Sequence, residues 1–446
     1  MDILHLKSFL SQLSRYHAAD QPLVVALSGG IDSVVLTHLL WRYRQISPTF
    51  KLAAVHVHHG LSANADDWLF FCQQLCDQWQ IPLFDRHVQV TQGHRLSLEE
   101  QARHVRYQVF EQMTGQGYAV VCAHHQDDQA ETFLLNLKRG SGCAGLAGMP
   151  HCRALGKSTL LRPLLSFSRA QIEAYAERHK LCHIVDESND DERFDRNYIR
   201  HQILPRLNQR WPQFTQQISQ SCQWLAQSQQ LQGELAEIDL RQYMDAKGRL
   251  SEKMSELSSA RQVNLLRFWL RQQTGFYPSQ YQLQQICQQM QCAPDRAPKI
   301  DINEGSLRRF QHFWQWVKPL PSATALIWSY PFAPINLPRM TLSMEAGGQL
   351  RSPHINEIVK ICFRPDVGTI SMRPVGRGGS RTLKKLLQEL QIPPWQRDHV
   401  PLLFYGEHWV ALADQLIDER FIAPETDGRQ LNWQFYADTL PSQHDE

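Results

Sequence analysis

The sequence predicts an α/β protein: a doubly wound parallel sheet at the N-terminus, then a small helical domain and a C-terminal α+β domain. Three observations carry this expectation. From Leu23 to about Arg210, apolar runs of strand length alternate with segments whose apolar residues recur at helical spacing. Near Trp211-Pro212 the strand-like runs give way to Gln- and Ser-rich stretches, interrupted by Trp224, Leu231 and Leu235, which read as solvated faces of amphipathic helices. Pro319, Pro321, Pro331, Pro334 and Pro338 then punctuate a linker or edge-strand region, followed by short strands and one clear helix, Thr382 to Leu390. For a 446-residue chain, at ~150 residues per domain, the expected boundaries are 1–212, 213–335 and 355–440.

The first strand, Leu23-Val24-Val25-Ala26-Leu27, is apolar throughout, as a strand covered on both faces must be. It runs into Ser28-Gly29-Gly30-Ile31-Asp32-Ser33 and then a helix through Trp41. Such a turn presents backbone N–H groups at a helix N-terminus, where an anion is favoured. Gly29 and Gly30 carry no Cβ to obstruct a ligand, and Ser28 and Ser33 add hydroxyl donors, so a phosphate belongs there. Asp32 beside a polyphosphate is repulsive unless a divalent cation lies between them, which implies Mg²⁺. The loop lacks the Gly-Lys-Ser/Thr ending of a Walker A loop.

The later elements continue the alternation. Strands are expected at Leu52–Val57, Pro82–Val90 and Tyr118–Ala123, and helices at Asp66–Gln80, Leu98–Met113 and Gln126–Lys138, with Glu99 and Glu100 near the favourable end of the second. Ligands of such sheets lie outside the carboxyl ends of the strands. The Ser28 loop and the His124-His125 turn therefore share one face. Asp128 and Glu131, three residues apart, fall on one face of the helix that follows. They could complement the helix dipole alone; beside a phosphate loop they could also complete a Mg²⁺ shell with Asp32 and hold an ammonium-bearing substrate.

Composition narrows the classes. The formal net charge of +2 and a pI near 8.0 do not announce a nucleic-acid partner. Local charge does appear in Arg373, Arg377, Arg381, Lys384, Lys385 and Arg397, with Glu389 and Asp398 the nearby acids; such a segment suits a phosphate backbone. Ten cysteines without any Cys-x-x-Cys read as thiols, not as disulfides, zinc ligands or a cluster. His56, His58 and His59 lack a carboxylate or Cys partner near in sequence, which favours a structural or nucleotide-packing role over zinc. The N-terminus has no secretory pattern, and no apolar run nears the ~20 residues of a membrane span. A cytoplasmic protein without a membrane partner is expected.

The Ser28–Ser33 pattern is similar to the PP-loop of the N-type ATP pyrophosphatases, which bind the pyrophosphate end of ATP and transfer AMP to an oxygen of a second substrate. A longer series resembles the tRNA(Ile)-lysidine synthetase family. It comprises Val55–Leu61, Leu98–Tyr107, His124–Thr132, Arg139–Gly142 with Gly145–Met149, Leu161–Leu165, Asn197–His201 with Leu204-Pro205, and in the tail Arg373–Ser380, Leu383–Leu387 and Ile392–Trp395 with Val400–Leu403. His58 stands where the family pattern has Asn.

The resemblance implies a ligase that converts the wobble cytidine (position 34) of an isoleucine tRNA with a CAU anticodon to lysidine, using free L-lysine. ATP first adenylates the C2 oxygen; pyrophosphate and then AMP leave, and codon reading changes from AUG to AUA. It further implies Mg²⁺ on Asp32 and Asp128, with Asp128 and Glu131 positioning the lysine and helping remove its proton. Arg103, Arg106 or Arg200 would face the α-phosphate. The tail domain would hold the acceptor stem while the first two domains handle the anticodon end, whose wobble base must leave its stack. A homodimer is compatible with this reading. Three alternatives stay open at this stage: a tRNA-thiolating relative, a small-molecule amidating enzyme, and an RNA-binding protein with a decayed nucleotide site.

Overall fold

A computed structural model describes residues 4–18, 20–60, 62, 64–89, 98–185, 187, 191–290, 298–337, 340–364, 367–424 and 428–435. Leu61, Val90, Cys292, Pro338 and the side chains of Glu99 and Glu100 lie outside the described residues. The chain forms two units, Met1–Glu234 and Leu235–Glu446.

In the first unit six strands, β1 (Leu23–Ala26), β2 (Leu52–His58), β3 (Leu83–His87), β4 (Ala119–Val121), β5 (Cys152–Leu155) and β6 (Ser158–Leu161), form one sheet in the order β3-β2-β1-β4-β6-β5. All neighbours are parallel except the edge hairpin β5–β6. Helices α1 (Leu6–Leu13), α2 (Ile31–Ile46), α3 (Ala65–Gln78), α4 (Leu98–Gly115), α5 (Gln126–Lys138), α6 (Cys143–Leu146), α7 (Arg169–Arg178), α8 (Asp195–Tyr198), α9 (Leu204–Arg210) and α10 (Phe214–Tyr243) complete it, the last crossing the division between units.

The period of two along β1 explains its composition. Leu23, Val25 and Leu27 pack with Phe9, Val34, Cys72 and Tyr175 on one face, while Val24 joins Val109, Phe110 and Met113 of α4 on the other. The sheet order reverses between β1 and β4, and that is the crevice in which an open α/β sheet binds its ligand. The Ser28 loop leaves β1 and the His124-His125 turn leaves β4, so both open onto it.

The second unit corrects the expectation that strands vanish after Trp211. Besides α10, α11 (Ser259–Thr274) and α12 (Gln280–Met290), it contains β7 (Leu250–Ser251), β8 (Lys299–Ile302), β9 (Gly305–Phe310) and β10 (Phe313–Val317) in an antiparallel sheet ordered β7-β10-β9-β8. Trp314 on β10 and Leu307 on β9 pack with Leu266 and Trp269 of α11 in one apolar core. The helices cover one face of this sheet, so the alternating residues of Lys299–Ile302 were the signal for it.

The proline-rich region is edge strand, not free linker. β11 (Leu326–Ile327) is the edge of a five-stranded sheet, β12 (Ile335–Leu337) of a three-stranded one, and Trp328 between them is buried with its indole N–H on Ala333 O at 2.8 Å. The remaining elements are β13 (Met340–Arg351), β14 (Val359–Cys362), β15 (Ser371–Met372), β16 (Arg381–Thr382), α13 (Leu383–Glu389), β17 (Leu402–Tyr405), β18 (His408–Leu412), β19 (Leu416–Ile417) and β20 (Gly428–Phe435).

Candidate active site

Three helix N-termini meet at the carboxyl end of β1 and β4. Gly30 caps α2, His125 caps α5 and Ser168 caps α7, so the positive ends of three helix dipoles converge on the crevice. Contacts tie the three together. Arg169, the first residue of α7, donates from its backbone N–H to Asp127 Oδ2 at 2.8 Å and from Nη1 to Asp32 Oδ2 at 2.6 Å.

The Ser28–Ser33 loop makes two sets of internal contacts that the sequence did not announce. Gly29 has φ +89°, and a Cβ there would lie 2.4 Å from Ile184 Cδ1; the backbone of Ile184 also donates to Gly29 O at 2.9 Å. Glycine at this position is required by the protein's own close approach. Ser33 donates its hydroxyl to Gly30 O at 2.8 Å and accepts from Ser28 N–H at 3.2 Å. These bonds let Ser33 shape the loop from within. Ser28 is exposed, and Ile31 is buried at the start of α2.

The paired carboxylates of α5 lie inside the fold. Glu131 is 0% exposed; its Oε2 accepts from Arg196 Nε and its Oε1 from Arg200 Nε, both at 2.6 Å. Asp128 Oδ1 accepts from Arg196 Nη2 at 3.1 Å and Arg200 Nη2 at 3.4 Å, and its Oδ2 accepts from His125 N–H at 3.0 Å. Two guanidinium groups therefore bridge two carboxylates. Burial acts against the Asp128 anion, yet His125, Arg196, His124 and the His125 backbone N–H together hold it below the usual carboxylate range.

Arg196 and Arg200 face the same way because they are four apart across α8 and a π-helical turn, Ile199–Ile203. Pro205 explains that turn. It has no N–H, and its ring crowds the carbonyl four residues back, so the backbone widens and Leu204 N–H reaches Ile199 O instead.

His125 links the two halves of the site. Its Nδ1 accepts from Asp127 N–H at 3.2 Å, which places the remaining proton on Nε2 in the neutral ring. That nitrogen lies 3.7 Å from Asp32 Oδ1 and 3.4 Å from Asp128 Oδ2. Burial pushes the Asp32 carboxyl up from its ordinary value, against the opposing charges of His125 and Arg169. Asp32 Oδ1 is itself buried and has no hydrogen-bond partner.

The other arginines expected at the phosphate stand apart from the carboxylates. Arg106 approaches His59 Nε2 at 3.3 Å, and Arg103 lies over the Tyr107 ring at 5.3 Å; neither bonds to Asp32, Asp128 or Glu131. The histidine group does have a carboxylate: His58 Nε2 lies 3.1 Å from Asp66 Oδ1, on the next helix. His56 Nδ1 meets Leu27 O at 2.9 Å and braces the end of β1, a structural role.

Sequence reasoning missed Arg196, Arg169 and the bridging position of His125. Arg196 was within reach, being one helical turn before Arg200. Arg169 was not, since 137 residues separate it from Asp32; the nearest signal was the Ser168-to-Gln171 capping box, which marks a helix start.

In the second unit, most of the basic tail segment is already paired. Arg377 and Arg381 both turn to Glu389, Arg373 lies 3.4 Å from Glu419, and Arg397 Nε donates to Ile392 O at 3.0 Å. Asp398 is taken by Arg364 at 3.2 Å. Lys384 and Lys385 are exposed and have no partner among the described residues.

Family models agree with this division. A PP-loop domain matches residues 4–207, a TilS substrate binding domain 252–313 and a TilS substrate C-terminal domain 359–433. The chain is 40% identical over 428 residues to the tRNA(Ile)-lysidine synthase of Shigella flexneri, covering 95% of this chain and 98% of that one. The chain belongs to the tRNA(Ile)-lysidine synthase family. The Salmonella typhimurium member is 41% identical over 92% of this chain and 96% of its own length. Among solved structures, the U34-tRNA thiolase NcsA from Methanococcus maripaludis with its [4Fe-4S] cluster matches 49% of this chain and 78% of its own, with 17% identity and a TM-score of 0.43. Among the described residues, no helix is long and apolar enough to cross a membrane.

Proposed function

We propose that this chain joins free L-lysine to C2 of the wobble cytidine of an isoleucine tRNA, consuming ATP and releasing pyrophosphate and AMP. The observation that carries the reading is the line Asp32–His125–Asp128, which sets a phosphate loop and a buried carboxylate–arginine cluster side by side in the switch crevice. The cytosine C2 oxygen is a poor leaving group. Transfer of AMP onto it forms a C2–O–P linkage and expels pyrophosphate toward the Ser28–Ser33 loop and the N-terminus of α2. The lysine ε-nitrogen then attacks C2, loses its proton, and AMP departs.

The donor set fits Mg²⁺. Asp32 Oδ1 is a buried carboxylate oxygen without a partner, and Asp128 Oδ2 approaches the same imidazole nitrogen; hard oxygen donors beside phosphates are what that cation takes. Asp32 and Asp128 would hold it, and it would supply neutralisation of phosphate charge. Asp128, kept ionised by its neighbours, suits holding the lysine ammonium better than storing its proton. Glu131 keeps Arg196 and Arg200 in place below it.

For the tRNA, Lys384 and Lys385 on α13 are the groups most available to a phosphate backbone. Incorporation of labelled lysine into tRNA with ATP and Mg²⁺, by wild type and Asp32→Ala, tests the reading. ATP-dependent incorporation that disappears in the variant is expected. tRNA-dependent ATP cleavage without lysine incorporation would leave the adenylation step and replace the nucleophile; binding of tRNA with ATP untouched would end the enzyme reading.

A further inference from the structure

Arg169 stands out because its partner is the residue that the cation needs. Its Nη1 donates to Asp32 Oδ2 at 2.6 Å and its Nε to Glu173 Oε1 at 2.8 Å, while its backbone N–H is fixed on Asp127. The side chain is 40% exposed, so it can leave one partner without crossing packed core. The other arginines near the crevice are engaged elsewhere: Arg196 and Arg200 on Glu131 and Asp128, Arg106 with His59.

We infer that Arg169 changes partner when the nucleotide arrives, passing from the Asp32 carboxylate to the phosphate oxygens of ATP, and that it is the arginine that carries phosphate charge during AMP transfer. The inference rests on the ATP reading above and assigns it a residue. A guanidinium and a divalent cation on one carboxylate repel each other. Neutralisation of the Asp32 charge by the cation therefore weakens its bond to Arg169. Glu173 retains the guanidinium through Nε, and the Nη groups become available beside the loop where the phosphates dock, in the planar geometry that suits phosphate.

The step balances without a proton at Arg169. The C2 oxygen of the cytosine attacks the α-phosphorus, the bond from that phosphorus to the bridging oxygen breaks, and its electron pair leaves with pyrophosphate. Negative charge shifts onto that oxygen as the bond lengthens, and a fixed cation there stabilises the transition state more than the ground state.

The exchange makes an unusual prediction, because Arg169 competes with the cation yet assists the chemistry. In Arg169→Ala, equilibrium binding of Mn²⁺ to the nucleotide-free protein, followed by the loss of free-Mn²⁺ signal without tRNA, should tighten by several-fold. Adenylate formation in a single turnover with tRNA should slow by about 100-fold, the scale for removing one charge-stabilising donor. Arg169→Lys should recover part of the rate and restore the weaker Mn²⁺ binding, and matching circular dichroism of both variants guards against misfolding. Weaker Mn²⁺ binding together with a slower rate in both variants would make Arg169 a structural brace and overturn the exchange. An unchanged rate would remove it from the chemistry. Failure of the wild type to bind Mn²⁺ with ATP at all would overturn the nucleotide reading and this assignment with it, whereas tight binding without lysine transfer would fault only the substrate.

Discussion

The crevice of the first unit and the basic tail segment of the second use the same residue types to opposite ends. In the crevice, Arg196 and Arg200 close on two carboxylates that are almost wholly buried, and Arg169 closes on Asp32. In the tail, Arg377 and Arg381 share Glu389 at the surface, and two lysines on α13 have no partner among the described residues. A buried cluster must be complete, since each unpaired charge carries its full desolvation cost. A surface segment tolerates leftover charge, and that leftover is what another molecule can bind. Sign and number of charges thus say less than depth and partner.

The largest break in this contrast should come from Glu131→Gln. It leaves Arg196 and Arg200 facing a neutral amide, and loss of one partner in a buried ion cluster costs about 3–5 kcal/mol. A marked fall in the thermal midpoint together with loss of lysine incorporation is expected; an unchanged midpoint would show that the cluster adds nothing to the fold.

Asp32→Asn should spare the fold and remove about 100-fold of the adenylation rate. Its pH behaviour sharpens the point. Burial raises the Asp32 carboxyl, so protons compete with a cation for it at higher pH than for an ordinary aspartate. The Mg²⁺-dependent rate should be complete above that raised value and fall as pH drops through it, and the Mg²⁺ requirement should climb over the same range. An acid limb at the ordinary carboxylate value would refute the assignment.

Lys384→Glu with Lys385→Glu should weaken tRNA binding about tenfold and lower the slope of log affinity against log salt by about one per lysine. Arg377→Ala, which mainly releases Glu389, should do less. Equal effects of the two would erase the distinction between paired and available charge.

The smallest effect concerns Glu357, whose carboxylate takes two bonds from Arg351 at 2.6 and 2.7 Å. That pairing holds Glu357 down at about 2, well below the ordinary glutamate value. A depressed carboxyl stabilises the fold fully above its unfolded value and loses that contribution between about 4.5 and about 2 as pH falls. Glu357→Gln should flatten this part of the melting-temperature profile and leave lysine incorporation alone.

Much of the molecule was legible because its signals are local. Strand β1, the phosphate loop and α2 follow one another in one short stretch, as β4 and α5 do in another, and apolar runs and helical spacing reveal them without knowledge of neighbours. The choice of Asp32, Asp128 and Glu131 needed only the face that open sheets use. The sheet β7–β10 was overlooked because its strands are short and carry Arg308, Arg309 and Gln315 among their aromatics. What no local pattern contains is partner choice. That Ser33 spends its proton on Gly30, that Ile184 fills the space over Gly29, and that Arg169 reaches Asp32 across 137 residues follow only once the sheet order has brought those segments together. The sequence by itself determined which charges exist and which elements carry them. Tertiary structure alone decided which are buried against each other, because desolvation and pairing depend on distance in space and not along the chain.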